Sequence, residues 1–423
     1  MNRFTWILIV VACLAGFAGA ETFSLQQTDR CVAFLREDAR AELFENILPF
    51  WMEHSFEDRN DGFVGRMNND LTVDRYAPKG LSITARFLWF FSAAYRMEPD
   101  DDYLDAAERA YEYLEEYFLD EDEEGCFWQL ESNGRPRDKR KVLYGHAFMV
   151  YGLSEYYMAS GDEKVLERAQ EVFDLIESKF RDKESGHGYL ECLNQDWRQS
   201  GKATLSQSVP EGGKTMNAHL HLLEAYANLY RAWPDPRVKD TLTELIRLFI
   251  DKMLNTEEYY FHQTFDEDWD PLDESFSFGH DLEGVWLLCD AAETLDDQEL
   301  IQEVYDVSLK VADAVLKIGV DEDGGLFYEG EDGDITNPEK VWWPQAEAVT
   351  GFLQCWQITQ EMSYLDAAFK NWQFIKKELV DSENGEWFKS LSDAKKPKAE
   401  KISEWKGPYH NGRACMELIK RLE

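Results

Sequence analysis

Glu124-Gly125-Cys126-Phe127-Trp128 is an acidic turn containing a glycine and followed at once by aromatic residues. The same small pattern recurs at Asn60-Asp61-Gly62-Phe63, Gly186-His187-Gly188-Tyr189-Leu190, Tyr259-Tyr260-Phe261, Gly324-Gly325-Leu326-Phe327-Tyr328 and Asn384-Gly385-Glu386-Trp387-Phe388. Counted from residues 62, 125, 188, 259, 324 and 385, the spacings are 63, 63, 71, 65 and 61 residues, which makes six near-equal periods. Between the markers, apolar residues recur with helical periodicity in two segments joined by a short polar break, as in 104–118 and 143–158. Gly161, in Ala159-Ser160-Gly161-Asp162, closes the second of these as a glycine stop. Two helices and a short hairpin per period, repeated six times, predict an all-α fold. It is an (α/α)6 barrel, or toroid, with short β-hairpins rimming a central pocket at one end. An open helical solenoid is the other reading, but six repeats close a ring and neither end carries a polar capping repeat.

The rest of the composition agrees with one large folded unit. The chain has 423 residues, with 44 Lys+Arg against 83 Asp+Glu and a formal charge of −39, so a nucleic-acid partner is excluded by repulsion of phosphate. With 44% hydrophobic and 14% aromatic residues it is not an acidic disordered chain. At the start, Asn2-Arg3 precedes an apolar stretch, 4–17, that ends in Ala18-Gly19-Ala20. This reads as a secretory signal over 1–20, cleaved after Ala20, with 21–423 as a single barrel domain. The stretch is shorter than the ~20 residues of a spanning helix, and the apolar run after Cys13 argues against a lipoprotein signal there. The expectation is an exported protein, periplasmic or extracellular, monomeric and without stable membrane association. The six cysteines outside the signal form no CxxC pair and read as buried thiols.

If inner helices line a pocket, functional groups should stand out as polar positions three or four apart on otherwise apolar helices. Asn217, His221, Glu224 and Asn228 form one such stripe, and His219 should point away from it. His280 and Glu283 lie three apart at an expected helix start, and Trp343 and Glu347 share a face behind Pro344. His410 and Arg413 share another, and Arg86 is a lone cation in Ala85-Arg86-Phe87-Leu88-Trp89, where burial demands an anionic or strongly polar partner.

Two histidines on opposite sides of a substrate can take a proton from one face and return it to the other, which suits epimerisation or isomerisation beside a carbonyl. Arg86 would then stabilise an enediolate oxygen. Three rivals remain open at this point. His221 with Glu224 and His280 with Glu283 are H-x-x-E pairs that could ligate a metal, although HExxH and HxxEH are absent. Glu283 and Glu347 could be the carboxylates of an inverting glycoside hydrolase. A carbohydrate-binding protein without catalysis is the third.

Four segments carry a resemblance: Gly213-Lys214-Thr215-Met216-Asn217-Ala218-His219-Leu220-His221-Leu222-Leu223-Glu224-Ala225-Tyr226, Phe278-Gly279-His280-Asp281-Leu282-Glu283-Gly284, Trp342-Trp343-Pro344-Gln345-Ala346-Glu347-Ala348 and Trp405-Lys406-Gly407-Pro408-Tyr409-His410-Asn411-Gly412-Arg413. In order and content the chain resembles the cellobiose 2-epimerases of the N-acylglucosamine 2-epimerase superfamily from about Phe44 to Leu422. The resemblance implies an (α/α)6 barrel and an enzyme with no metal or other cofactor. Such an enzyme interconverts glucose and mannose at the reducing end of β-1,4-linked disaccharides such as cellobiose, lactose and mannobiose. It also implies that His280 and His410 transfer the proton and His221 opens the ring. Arg86, Tyr144, Asn217, Glu283 and Glu347 would bind the open-chain sugar or orient the bases, and Trp343 and Trp405 would be platforms for the two sugar units. A monosaccharide aldose-ketose isomerase or an N-acylglucosamine 2-epimerase is the alternative within the superfamily. The export signal departs from the family pattern and bears on the physiological substrate.

Overall fold

The computed structural model describes residues 25–423 apart from 58–61, 185, 200–212, 393–394 and 399. The expected export signal, Cys13 included, lies outside the described residues, as do Asn60 and Asp61 of the first marker.

Twelve principal helices alternate between two rings. The outer ring is α1 (Leu25–Glu42), α3 (Asp101–Tyr113), α5 (Glu163–Leu175), α7 (Pro236–Leu248), α9 (Gln298–Ile318) and α11 (Met362–Phe374). The inner ring is α2 (Leu81–Met97), α4 (Leu143–Ser160), α6 (Met216–Ala232), α8 (Phe278–Leu295), α10 (Trp342–Thr359) and α12 (Tyr409–Arg421). Each inner helix packs on the next, and α12 returns to α2, so the ring is closed and the solenoid reading falls. The two rings follow from their sequences. Residues 143–156 of α4 are buried without interruption, as a helix surrounded by other helices requires. Outer helices bury one stripe and start at Asp100, Asp162, Asp235 and Asp297, whose side chains accept N–H groups of the first turn. Gly161 ends α4 with φ +70°, its N–H bonded to Tyr157 O at 2.8 Å.

Two features differ from the sequence reading. Five outer helices end in a π-turn: Leu43–Ile47 (after which α1 continues as Leu48–His54), Leu114–Phe118, Ile176–Phe180, Phe249–Met253 and Ile375–Leu379. The periodicity over 104–118 therefore covers an α-helix and a π-turn. Secondly, the short strands do more than fold into local hairpins. Lys79–Gly80 pairs with Gln129–Leu130, Lys141–Val142 with Cys192–Leu193, and Lys214–Thr215 with Thr264–Phe265, so the rim is laced from one repeat to the next.

Buried polar braces tie this rim to the helices. The fourth residue of four inner helices accepts a backbone N–H from the preceding marker turn: Cys126 donates to His146 Nε2 (3.0 Å), Tyr189 to His219 Nε2 (3.1 Å), Phe261 to Asp281 Oδ1 (2.9 Å) and Leu326 to Gln345 Oε1 (2.7 Å). Gly125 and Gly188 are fixed by this closeness, since both have φ +68° and a Cβ there would stand 2.9 Å from His146 Nε2 or 3.0 Å from His219 Nε2. Two residues before an inner helix, Lys141, Lys214 and Lys340 reach Asp120 (2.7 Å), Asp182 (2.9 Å) and Asp321 (3.1 Å). The six cysteines from Cys31 to Cys415 are all buried. Among the described residues no helix is long and apolar enough to cross a membrane.

Candidate active site

The rim opens on a cavity of about 450 Å³ between the inner helices. Its wall contains nine of the ten residues to which the resemblance assigns a role: Arg86, Tyr144, Asn217, His221, His280, Glu283, Trp343, Trp405 and His410. The tenth, Glu347, is buried against His410 and does not reach the wall. Asn228 is also outside it, at the far end of its stripe on α6, where it donates to Glu155 Oε2 (3.0 Å). Sequence reasoning missed Tyr328, Glu339, Trp342, Lys389 and Ser390, which the rim strands and α10 bring to the wall and which carry no helical stripe of their own.

Each proton-transfer candidate has a fixed tautomer. Gln263 donates from Nε2 to Phe261 O (2.7 Å), which turns its Oε1 toward His280 Nδ1 at 2.7 Å. His280 therefore carries its proton on Nδ1 and presents a bare Nε2. His410 Nδ1 lies 2.6 Å from Glu347 Oε1, and the Glu347 carboxylate is held further by Trp286 Nε1 at 2.9 Å. The same logic leaves His410 Nε2 bare. The rings of both histidines pack on Trp343, at 4.7 and 5.5 Å between centroids. Burial drives the basicity of all three site histidines down, to about 3 for His280, to about 4 for His221 and well below the usual range for His410, where Arg86 and Arg413 push the same way.

His221 Nδ1 is 3.0 Å from Glu224 Oε2, so this H-x-x-E pair is made. Burial alone would raise Glu224, but Arg413 and the hydrogen bond from His221 hold it at about 2. The second H-x-x-E pair is not made: His280 turns to Gln263, and Glu283 turns to Arg413 Nη2 at 2.5 Å. Ligand atoms of Glu283, Glu347 and His410 do lie within 4.8 Å of one another, a spacing a metal could use. Arg413 Nη2 stands on the same two oxygens, Glu283 Oε1 (2.5 Å) and Glu347 Oε1 (2.8 Å), so the cation between these carboxylates is a guanidinium. The same closeness removes the inverting-hydrolase reading, which needs carboxylates ~6.5–9.5 Å apart on either side of the sugar.

Arg86 is the candidate electrophile. Its Nη2 donates to Tyr144 OH at 2.6 Å, and its guanidinium lies over Phe148 (4.2 Å) and Tyr409 (4.7 Å). Its Nε has no hydrogen-bond partner, and among the described residues no carboxylate forms an ion pair with it. The polar partner that its burial demands is therefore left for an oxygen in the cavity. Trp405, 37% exposed, stands at the mouth with Trp128 and Tyr144 at 6.2 and 6.0 Å.

An (α/α)6 barrel whose cavity is lined by two imidazoles with Nδ1 held and by an arginine without a carboxylate partner is a site chemically suited to proton transfer. The sequence profile of the N-acylglucosamine 2-epimerase family matches residues 62–414. The cellobiose 2-epimerase of Bacteroides fragilis is 39% identical over 91% of this chain and 98% of its own, and that of Dictyoglomus turgidum 38% identical over 90% and 98%. The solved cellobiose 2-epimerase of Spirochaeta thermophila superposes with a TM-score of 0.86 at 38% identity, covering 95% of this chain and 99% of that one. The protein belongs to the N-acylglucosamine 2-epimerase family.

Proposed function

We propose that the protein is an isomerase that interconverts glucose and mannose at the reducing end of a β-1,4-linked disaccharide by proton transfer at C2. The observation that carries this reading is the pair His280 and His410, each with Nδ1 tied down and Nε2 open to one cavity that also holds the unpaired Arg86. The relatives named as cellobiose 2-epimerases support the disaccharide, and Trp405 at the mouth offers an aromatic face to its second unit.

In this reading His221 helps to open the sugar ring, and Nε2 of either His280 or His410 takes the C2 proton. The C–H electron pair moves toward C1, giving a cis-enediolate whose charge Arg86 meets. After rotation about the C2 unit, the other histidine, which has taken up a proton from solvent at Nε2, delivers it to the opposite face, and the first histidine returns its proton to solvent. The charge of the enediolate favours the protonated imidazole at that stage, and Glu347 does so at His410. Delivery to C1 instead yields the ketose, so some isomerisation accompanies epimerisation. In this reading no metal is needed, because Arg86 supplies the positive charge that meets the enediolate.

The test is incubation with cellobiose, lactose, mannobiose, mannose and N-acetylglucosamine in D2O, following C2 by NMR. Deuterium should enter C2 as the disaccharide epimerises, chelators should have no effect, and Trp405→Ala should lower kcat/KM for disaccharides. Equal turnover of free mannose, or better turnover of N-acetylglucosamine, would move the protein to another branch of the family. We also propose that 1–20 is an export signal; a mature protein that begins at Glu21 outside the cytoplasm is the expected result.

A further inference from the structure

Beneath the cavity floor, one guanidinium gathers the supports of the site. Arg413 Nη1 donates to Glu224 Oε1 and to Tyr409 OH, and Tyr409 in turn donates to Glu224 Oε2. Its Nη2 donates to Glu283 Oε1 (2.5 Å) and Glu347 Oε1 (2.8 Å). Glu224 holds His221, and Glu347 holds His410. An unbroken chain of hydrogen bonds therefore runs from the ring-opening histidine on α6 to a proton-transfer histidine on α12, through a side chain that makes no hydrogen bond to either imidazole among the described residues and does not line the cavity. We infer that Arg413 is a positioning residue for this reaction: it keeps Glu224 and Glu347 ionised and in place, and so fixes which nitrogen of His221 and of His410 bears the proton. This rests on the epimerase reading above.

The charge count explains why one arginine is decisive. Glu224 and His221 face it from α6, Glu283 from α8, Glu347 from α10, and Tyr409 and His410 from its own helix. Tyr151 and Arg86 lie beyond Tyr409. Three buried carboxylates around one guanidinium exceed its charge, so one of them holds a proton. Glu347 receives bonds from Trp286, Arg413 and His410, and Glu224 from Arg413, Tyr409 and His221. Glu283 receives a hydrogen bond from Arg413 alone, with His410 Nδ1 further off at 3.8 Å and a buried Oε2 that has no partner, so it is the carboxyl assigned the proton. Burial and the neighbouring Glu347 both push Glu283 up; burial pushes Glu347 up as well, but there Arg413 and the hydrogen bonds from Trp286 and Arg413 pull the other way. Without Arg413 the preference is lost, and Glu347 competes for the proton that His410 Nδ1 must donate.

The experiment compares full-length wild type, Arg413→Met, Arg413→Lys and Glu224→Gln for epimerisation across pH, with thermal unfolding alongside. Arg413→Met should lower kcat by about 10²-fold, with KM little changed. The acidic limb of its pH–rate profile should move up by about one unit or more, since removing a cation raises nearby carboxylates and imidazoles. Arg413→Lys keeps the charge without the fork, so the limb should return toward wild type while kcat stays low. Glu224→Gln should shift the limb the opposite way, to lower pH, and it reads the relay even if neither Arg413 variant folds. A limb that stays fixed in every variant that folds would overturn the inference and leave Arg413 a purely structural residue. Absence of C2 exchange in wild type would instead overturn the epimerase reading.

Discussion

His219 and His221 sit two residues apart on α6, both buried and both with basicity pulled down to about 4 by burial, yet they belong to different parts of the molecule. His219, like His146 on α4, gives Nδ1–H to the carbonyl four residues earlier, Thr215 O or Val142 O at 2.8 Å, and accepts a rim N–H at Nε2. Both nitrogens are used by backbone. His221, His280 and His410 also have Nδ1 held, but by Glu224, Gln263 and Glu347, and no hydrogen bond reaches Nε2 among the described residues. Burial and weak basicity therefore do not mark a reacting histidine in this fold. An unclaimed nitrogen facing the cavity does.

The largest effect separates the two groups directly. His280→Ala and His410→Ala should each cut turnover by ~10²–10⁴-fold with thermal stability close to wild type, because each removes the acid or base of one face. His146→Ala and His219→Ala should do the reverse. Each leaves a buried N–H without an acceptor, costing about 1–3 kcal/mol, while the folded protein keeps its activity. If His219→Ala destroyed turnover at full stability, the division would be wrong.

A smaller effect is expected one bond further out. Gln263→Leu leaves His280 Nδ1 without its acceptor, so turnover should fall, by roughly 10- to 10²-fold if the partner orients the ring as partners of metal-bound histidines do. Gln263→Glu sharpens the point, because it gives His280 the kind of partner His410 has. A carboxylate favours the charged imidazole, so the acidic limb of the pH–rate profile should move to higher pH. An unchanged profile in both variants would mean that His280 is not the group being titrated.

The sequence shows the six repeats because each marker turn needs a glycine or acidic break followed by aromatic residues. It shows the cavity because polar residues recur three or four apart on otherwise apolar helices, although some of them, such as His219 and Asn228, turn out to be braces. What it hides is partnership across repeats. Gln263 lies in a rim turn with no periodicity, and nothing near it points to a histidine 17 residues away. Arg413 is visible on the face of His410, but three glutamates from three other helices meet it only once the ring closes. The Lys–Asp pairs do leave a signal, a lysine two residues before an inner helix, which is legible only after the helix starts are known. His146 and His221 look alike in sequence because the choice between brace and base depends on what meets Nε2.

The finest test uses a substitution that the molecule already contains. In α10 the brace position is Gln345, whose Oε1 accepts Leu326 N–H at 2.7 Å and whose Nε2 donates to Val341 O, four residues earlier, at 3.3 Å. Those are the same two bonds that His219 makes. His219→Gln should therefore preserve both stability at neutral pH and turnover, and it should change only how stability responds to acid. In the folded state His219 is held near 4 by burial, below the ~6.5 of an exposed histidine, so the unfolded chain binds the proton first. Its contribution is complete above about pH 6.5 and is lost as pH falls toward 4, at about 1.4 kcal/mol per pH unit between those limits. Glutamine does not titrate, so urea denaturation of the variant between pH 6.5 and 4.5 should show a slope shallower than wild type by that amount. Parallel wild-type and variant curves would mean that His219 takes up its proton in the fold as readily as in the unfolded chain, so that Nε2 no longer accepts from Tyr189 N–H, and the contrast with His221 would then have to be drawn on charge instead of on a spare nitrogen.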